Sequence, residues 1–259
     1  MTKKLQSITN KIAPVIAIIA ILLIWYFCNE GEVIPAYMLP SPVDVWNAFV
    51  NNFFIMIEQA KVTLQEALYG LGIGILLAFI VATLMDRFAF LNKAIYPILV
   101  ITQTIPTIAI APLLVLWMGF GMAPKITLVT ITTFFPISVG LLEGYRCADI
   151  DEINMMRSMG ANKFQIFRHI KLPTATGSFF SGLRISASYA VVGAVISEWL
   201  GGFKGLGVYM TRVQKAYAFD KMFAVIVFVS AISLLLMTFV SLLQKIAMPW
   251  QKNKKELKI

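Results

Sequence analysis

Runs of apolar residues long enough to cross a bilayer recur along this chain, separated by short polar breaks. Ile12–Cys28, Val62–Met85, Ala94–Trp117, Ile126–Leu142, Ala175–Trp199 and Met222–Met248 each carry the 17 to 25 or so predominantly apolar residues that a spanning helix needs. Six spans in one membrane domain covering residues 1–259 are therefore expected, an all-α polytopic helix bundle. The loop Asn29–Ser41 is rich in Gly and Pro. After it, "SPVDVWNAFVNNFFIMIEQA" has the periodicity of an amphipathic helix lying on the membrane surface, with Ser41 as N-cap and Pro42 in the first helical position.

Three spans carry internal marks. The second holds Gly70, Gly72 and Gly74, small residues that let helices approach closely in lipid. The third holds Pro97, Pro106 and Pro112 and is expected to be kinked or split, because proline removes a donor and clashes with the preceding turn. Freed backbone groups at membrane depth must be buried in protein or face a watery cavity. Gln103, Thr104, Pro106 and Thr107 are thus candidate pathway-lining residues, against the plainer alternative of a structural kink whose hydroxyls satisfy local backbone. The fifth carries Arg184 and, at its outer end, Glu198. An intramembrane charge is a functional-site candidate by default. For Arg184 an ion pair with Glu143 or Glu66 is preferred to a substrate contact, with snorkelling to the interface as the alternative. Glu198 reads equally as gate, ion-pair partner or solvated charge.

Composition agrees with the pattern: 59% of the residues are hydrophobic and 14% charged, where soluble domains are nearer half and a quarter. The net charge of +9 falls mostly between spans, and no basic–aromatic stripe suggests nucleic acid. About 15 Lys and Arg lie on one set of connections and about 6 on the other, so the positive-inside rule places both termini and the segment Glu143–Pro173 in the cytoplasm. Asn29–Lys61 and Leu200–Lys221 then face outward as loops. The basic, apolar N-terminus has no A-x-A site and reads as an uncleaved first span. Cys28 and Cys147 form neither a disulfide framework nor a metal pattern. His169 has no second ligand near it, and no cofactor or metal is expected.

The segment Glu143–Pro173 is polar and punctuated. Asp149, Asp151 and Glu152 favour a helix start, with Asp149-x-x-Glu152 shaped like a capping box; Gly160 interrupts, Asn162 can cap a second short helix, and Pro173 is expected to end it. Ile166, Phe167 and Ile170 share a face beside Phe164. This apolar ridge, read as facing water, wants either a protein partner or the lipid headgroups.

"GANKFQIFRHIKLP" resembles the EAA signature of permease subunits of binding-protein-dependent ABC importers. Gly160, Ile170, Leu172 and Pro173 match in type and spacing, whereas Asn154, Met155 and Met156 stand in place of Glu-Ala-Ala, where Asp151 or Glu152 could substitute. "LPSPVDVW", "QTIPTIAIAPLLVLWMGFG", "SGLRIS" and "AVISEWLGGFKGLG" are similar to the sulfonate, taurine, nitrate and thiamine-precursor branch. The resemblance implies a type I importer permease architecture in the cytoplasmic membrane. A second permease copy would complete the pore, cytosolic ATP-binding subunits would receive the elbow, and an extracytoplasmic solute-binding protein would deliver a small-molecule substrate. The expected ATPase-coupling residues are Met156, Gly160, Ala161, Phe164, Phe167, Ile170, Leu172 and Pro173. No G-x-x-x-x-G-K-[ST] phosphate loop is present. "GFKGLGV" comes near it with Val208 where lysine is required, and reads as a binding-protein contact or a simple turn. The chain is thus expected not to be an enzyme. A stand-alone secondary transporter or channel is the rival reading, weakened by the few intramembrane charges and the lack of a visible inverted repeat.

Overall fold

The computed structural model describes residues 2–31, 35 and 38–249. The tail "QKNKKELKI", expected in the cytoplasm, lies outside the described residues. Every element among them is helical: α1 Thr2–Glu30, α2 Pro42–Arg87, α3 Ala89–Thr104, α4 Thr107–Met118, α5 Met122–Arg146, α6 Ile150–Ser158, α7 Lys163–Ile166, a π-turn Phe167–Lys171, α8 Leu172–Gly201, α9 Leu206–Lys215 and α10 Phe219–Ala247.

Among the described residues, four helices are long and apolar enough to cross a bilayer alone: α2, α5, the continuous run Lys163–Gly201, and α10. The third expected span is split at one of its prolines: α3 and α4 meet at 101° around Ile105 and Pro106, the geometry of a broken span or a re-entrant loop, whereas Pro97 and Pro112 lie inside α3 and α4 without interrupting them. Where the first span is expected, the described residues hold a shorter apolar helix, Val15–Glu30. Two expectations are corrected. The surface helix after Ser41 is not separate from the second span, because nothing interrupts α2 over its 46 residues. That is a rod of about 69 Å. Its start is as expected: Ser41 Oγ accepts the Asp44 N–H (3.1 Å) and the Asp44 carboxylate accepts the Ser41 N–H (3.3 Å). Nor is Leu200–Lys221 simply a loop, since it contains α9. Leu206, Tyr209, Met210 and Val213 are buried at helical spacing, a period that the short segment conceals.

The chain divides into two compact units. The larger holds residues 58–208 and the described chain from Val229 on. Its core is α5 laid against α8, with α2 joining through Ala67, Ala78 and Ala82. Small residues permit this. A Cβ on Gly140 would come within 2.8 Å of the Ser178 carbonyl, and one on Gly182 would strike the Pro136 carbonyl. Of the three glycines in α2, Gly70 and Gly74 face α5, whereas Gly72 faces open space. The smaller unit comprises the described chain up to Ile57 with Tyr209–Phe228. Trp25 stacks near Phe223 and its indole N–H donates to the Pro40 carbonyl (3.0 Å), while Val45, Ala48 and Ala224 pack together.

Candidate functional site

Three features of the larger unit carry chemical information: the elbow between α5 and α8, a cavity along α3, α5 and α8, and a buried set of charges.

The elbow begins at Asp149, whose carboxylate accepts the Asp151 N–H (2.8 Å), so the expected box with Glu152 does not form. Gly160 ends α6 with φ +80, a conformation that costs an L-residue energy. Around it the Gly160 and Ala161 N–H groups donate to the carbonyls of Arg157 and Met156, both at 2.9 Å. Asn162 and Gln165 then cap α7 reciprocally, at 2.9 and 2.7 Å. Pro173 does not end this helix, contrary to expectation. In the π-turn the Leu172 N–H reaches back to the Phe167 carbonyl. The widened turn accommodates a residue without an N–H, and the rod runs on unbroken to Gly201.

The apolar ridge also faces the other way. Ile166 and Ile170 are buried against Ile153 of α6, with Ala148, Met156 and Ala161 packed alongside. Phe167 leans on Tyr145 of α5 at 5.3 Å between ring centroids. Of the expected coupling residues, Ile170 is buried; Met156, Ala161, Phe167 and Leu172 are partly buried; Gly160, Phe164 and Pro173 are exposed. A ridge read on a lone helix ignores the second arm of the elbow, which folds back to cover it. The elbow instead presents Ile150, Met155, Met159 and Phe164, each 60–78% exposed. Lys171 Nζ donates to both oxygens of Asp86 (2.7 and 2.8 Å), tying the π-turn to the end of α2. His169 is exposed with Nδ1 beside the Gln165 carbonyl, and the described residues contain no metal-ligand cluster.

Beside the candidate pathway residues, a cavity of about 700 Å³ is lined by residues including Gln103, Glu143, Ser181, Tyr189 and Gln244. A second, of about 320 Å³, is lined by Gln103, Pro106, Thr107 and Tyr189 among others. Gln103 and Tyr189 border both. Thr104 borders neither, and its hydroxyl donates to the Ile101 carbonyl (2.8 Å), the local role that serves a kinked helix.

Among the described residues Arg184 makes no ion pair. Its guanidinium donates to Gln244 Oε1 (2.7 Å) and Ser181 Oγ (3.2 Å), two cavity-lining residues. Glu66, one expected partner, is taken: its Oε1 meets Lys125 Nζ at 2.6 Å, with both residues buried. Glu198 is not a solvated charge, nor does it form an ion pair among the described residues. It is fully buried, Oε1 accepting from the Thr63 hydroxyl (2.7 Å) and Oε2 from the Gly207 N–H (2.6 Å). The Leu206 N–H donates to Thr63 Oγ1 (2.9 Å) and the Gly205 N–H to Gln59 (2.8 Å). A Cβ on Gly205 would strike the Glu198 carboxylate. The glycines of "GFKGLG" therefore let a loop close over a carboxylate rather than over a phosphate.

The chain matches the family described as binding-protein-dependent transport system inner membrane component over residues 70–252. It is 34% identical to a probable ABC transporter permease protein of Haemophilus influenzae, over 86% of this chain and 91% of that one. It is 31% identical to the formylaminopyrimidine transport permease protein ThiX of Halalkalibacterium halodurans, over 93% and 96%. Further relatives are named for riboflavin, aliphatic sulfonates, nitrate and taurine. Inward-facing structures of the MetNI methionine ABC transporter share its fold, with a TM-score of 0.67 at 19% identity over 75% of this chain and 97% of that chain.

Proposed function

From the premise that the chain belongs to the binding-protein-dependent transport system inner membrane component family, and so is a membrane permease subunit of an ABC importer, we propose how it works. Residues 1–259 form one permease domain with both termini in the cytoplasm. A second copy completes the pore. Separate ATP-binding subunits hydrolyse ATP and receive the elbow, and an extracytoplasmic binding protein delivers the solute. Family membership sets aside the stand-alone secondary transporter.

One observation carries the coupling: the second arm of the elbow, α7, is the start of the same unbroken 39-residue helix, Lys163–Gly201, that forms the α8 wall of the cavity. A push on α7 therefore reaches the pathway along one helix, and α6, joined to α7 at the Gly160 turn, delivers its push through Ile153 packed on Ile166 and Ile170. The motor-facing surface is Ile150, Met155, Met159 and Phe164, with Gly160 setting the turn; Ile170 and Phe167 support it from inside. Gln103, Pro106, Thr107 and Tyr189 line the path. Of the solutes named for relatives, a formylaminopyrimidine-type heterocycle fits this lining best. Amides and hydroxyls can hydrogen-bond it and Tyr189 can stack on it, whereas the one charged residue of the lining is the Glu143 carboxylate and the neighbouring Arg184 is already engaged by Gln244 and Ser181, so sulfonate and nitrate meet no free cation.

The test replaces Cys28 and Cys147, introduces Met159→Cys or Phe164→Cys, and crosslinks the purified assembly. A crosslink to an ATP-binding subunit that changes with nucleotide supports the coupling surface. An assembly lacking such a subunit, or crosslinks only from buried Ile170→Cys, overturns it. A calorimetric screen of the cognate binding protein, in which a sulfonate or nitrate binds and no heterocycle does, overturns the substrate class.

A further inference from the structure

Between the end of α2 and the elbow lies a cavity of about 500 Å³, bordered on its elbow side by Phe164 of the motor-facing surface; the transport mechanism does not use the cavity's basic residues. This is within the usual size of small-molecule pockets, about 300–1,000 Å³. Its charges are unbalanced. Asp86 is the one carboxylate among its lining residues, and Lys171 already holds both its oxygens. Arg87, Arg157 and Lys163 also line it, and none of the three forms an ion pair among the described residues. Three positive charges from three elements therefore converge without an anion. Apart from Thr83, the rest of the wall is apolar, through Leu84, Ile153, Phe164, Ile166 and Phe167.

This combination selects its occupant. A free phosphate would satisfy the cations but leave the apolar wall wet. An acidic side chain of a protein partner would do the same. A phosphate ester carrying acyl chains satisfies both. The cavity is also placed for it: α2 emerges from its apolar run here, and just beyond, Phe88 and Phe90 project outward, Phe90 80% exposed. Apolar side chains exposed at the end of a span belong in acyl chains and headgroups. Basic pockets at the cytoplasmic face hold anionic headgroups by the same electrostatics.

We infer that this cavity binds one anionic phospholipid of the inner leaflet, its phosphate held by Arg87, Arg157 and Lys163 and an acyl chain along Leu84 and Phe167. The inference rests on the elbow being cytosolic. Because Arg87 belongs to α2 and the other two cations to α6 and α7, the lipid bridges the span to the elbow beside the Lys171–Asp86 pair.

The full assembly, purified from its membrane, is placed in nanodiscs of phosphatidylcholine with or without phosphatidylglycerol, and lipid retention is read by native mass spectrometry. The wild type should retain one phosphatidylglycerol per permease. Each neutralisation, Arg87→Gln, Arg157→Gln or Lys163→Gln, should weaken retention roughly five-fold, and all three together about a hundred-fold. Arg87→Lys with Arg157→Lys keeps the charge and should keep the lipid, which controls for misfolding. Equal retention by the wild type and the triple glutamine variant overturns the inference. So does a triple variant that sheds its ATP-binding subunits while keeping its lipid, which assigns the cations to the motor. An assembly that holds phosphatidylglycerol but no ATP-binding subunit would instead count against the coupling reading alone.

Discussion

Gly160 offers the sharpest test of the elbow, because its surroundings separate two reasons for a glycine. Its φ of +80 lies where an L-residue is strained, yet a Cβ added there would meet nothing within 4 Å. A substitution is therefore penalised by the backbone and not by collision. The left-handed conformation costs an ordinary residue about 1–2 kcal/mol, and less for asparagine, which visits this region far more often. β-Branched valine sits at the top of that range or above it. That energy comes directly out of the turn closed by the Ala161 N–H on the Met156 carbonyl. With tenfold for every 1.4 kcal/mol, the amides of Ala161 and Ile166 should exchange about 5- to 30-fold faster in Gly160→Ala than in wild type. Gly160→Asn should fall below that and Gly160→Val above it. In proteoliposomes, solute taken up per ATP should decline in the same order while the ATP-binding subunits remain attached. The reasoning fails if Asn and Val are equally damaging, or if Gly160→Ala stops uptake with exchange unchanged. Either result would make Gly160 a contact residue and not a hinge.

Other substitutions follow from the same unit. Lys125→Met leaves the buried Glu66 carboxylate without its cation and should cost about 3–5 kcal/mol, seen as a lowered melting temperature in detergent. Pairing it with Glu66→Leu should recover most of the loss. Gly182→Val drives a side chain into the Pro136 carbonyl and should destabilise by about 1–3 kcal/mol, whereas Gly72→Ala, facing open space, should stay within about 0.5 kcal/mol of wild type in the same melt. Arg184→Gln loses charge-assisted hydrogen bonds to two neutral groups, about 1.5–3 kcal/mol each. A much larger loss would reveal a carboxylate partner in the assembled transporter.

How far the chain could be read in advance depended on how local each cause is. Pro106 broke the third span because a proline acts on its own turn. Ser41 and Asn162 take the capping roles expected of them because an N-cap engages residues within about three positions, and Gly160 interrupts the helix as expected because its own φ is left-handed. Misreadings came where the deciding partner lies elsewhere. Period and polarity suggested a surface helix after Ser41, but a change in polarity does not interrupt hydrogen bonding, and α2 continues through it. The ridge of Ile166 and Ile170 was real, but its direction depended on Ile153 across the elbow. Glu66 and Lys125 stand 59 residues apart, and only the meeting of α2 with α5 joins them. Glu66 did carry a signal, as a carboxylate inside an apolar run, but nothing nearby indicated which cation would neutralise it. "GFKGLG" was legible as a tight glycine loop; the carboxylate that it closes over was in plain sight at Glu198, one turn upstream.

The two ends of the Lys163–Gly201 helix explain why the elbow and the glycine loop belong to one device. Thirty-nine residues make a rod of about 58 Å, with one arm of the elbow at its start and Glu198 within its last turn. At the elbow end the rod is tied to α2 through Lys171 and Asp86, an ion pair that keeps partial access to solvent. At the other end Glu198 is fully buried and ties the rod both to α2, through Thr63, and to the loop, through Gly207. These attachments differ in kind. A partly exposed ion pair is screened and yields at little cost, whereas stripping a buried carboxylate of its donors is expensive. A force on the elbow therefore shifts the solvated tie first. The loop moves with the rod because its link to Glu198 is the costlier one to break. In the proposed mechanism, this asymmetry carries movement from the motor side to the loop at the far end of the helix instead of dissipating it at the first joint.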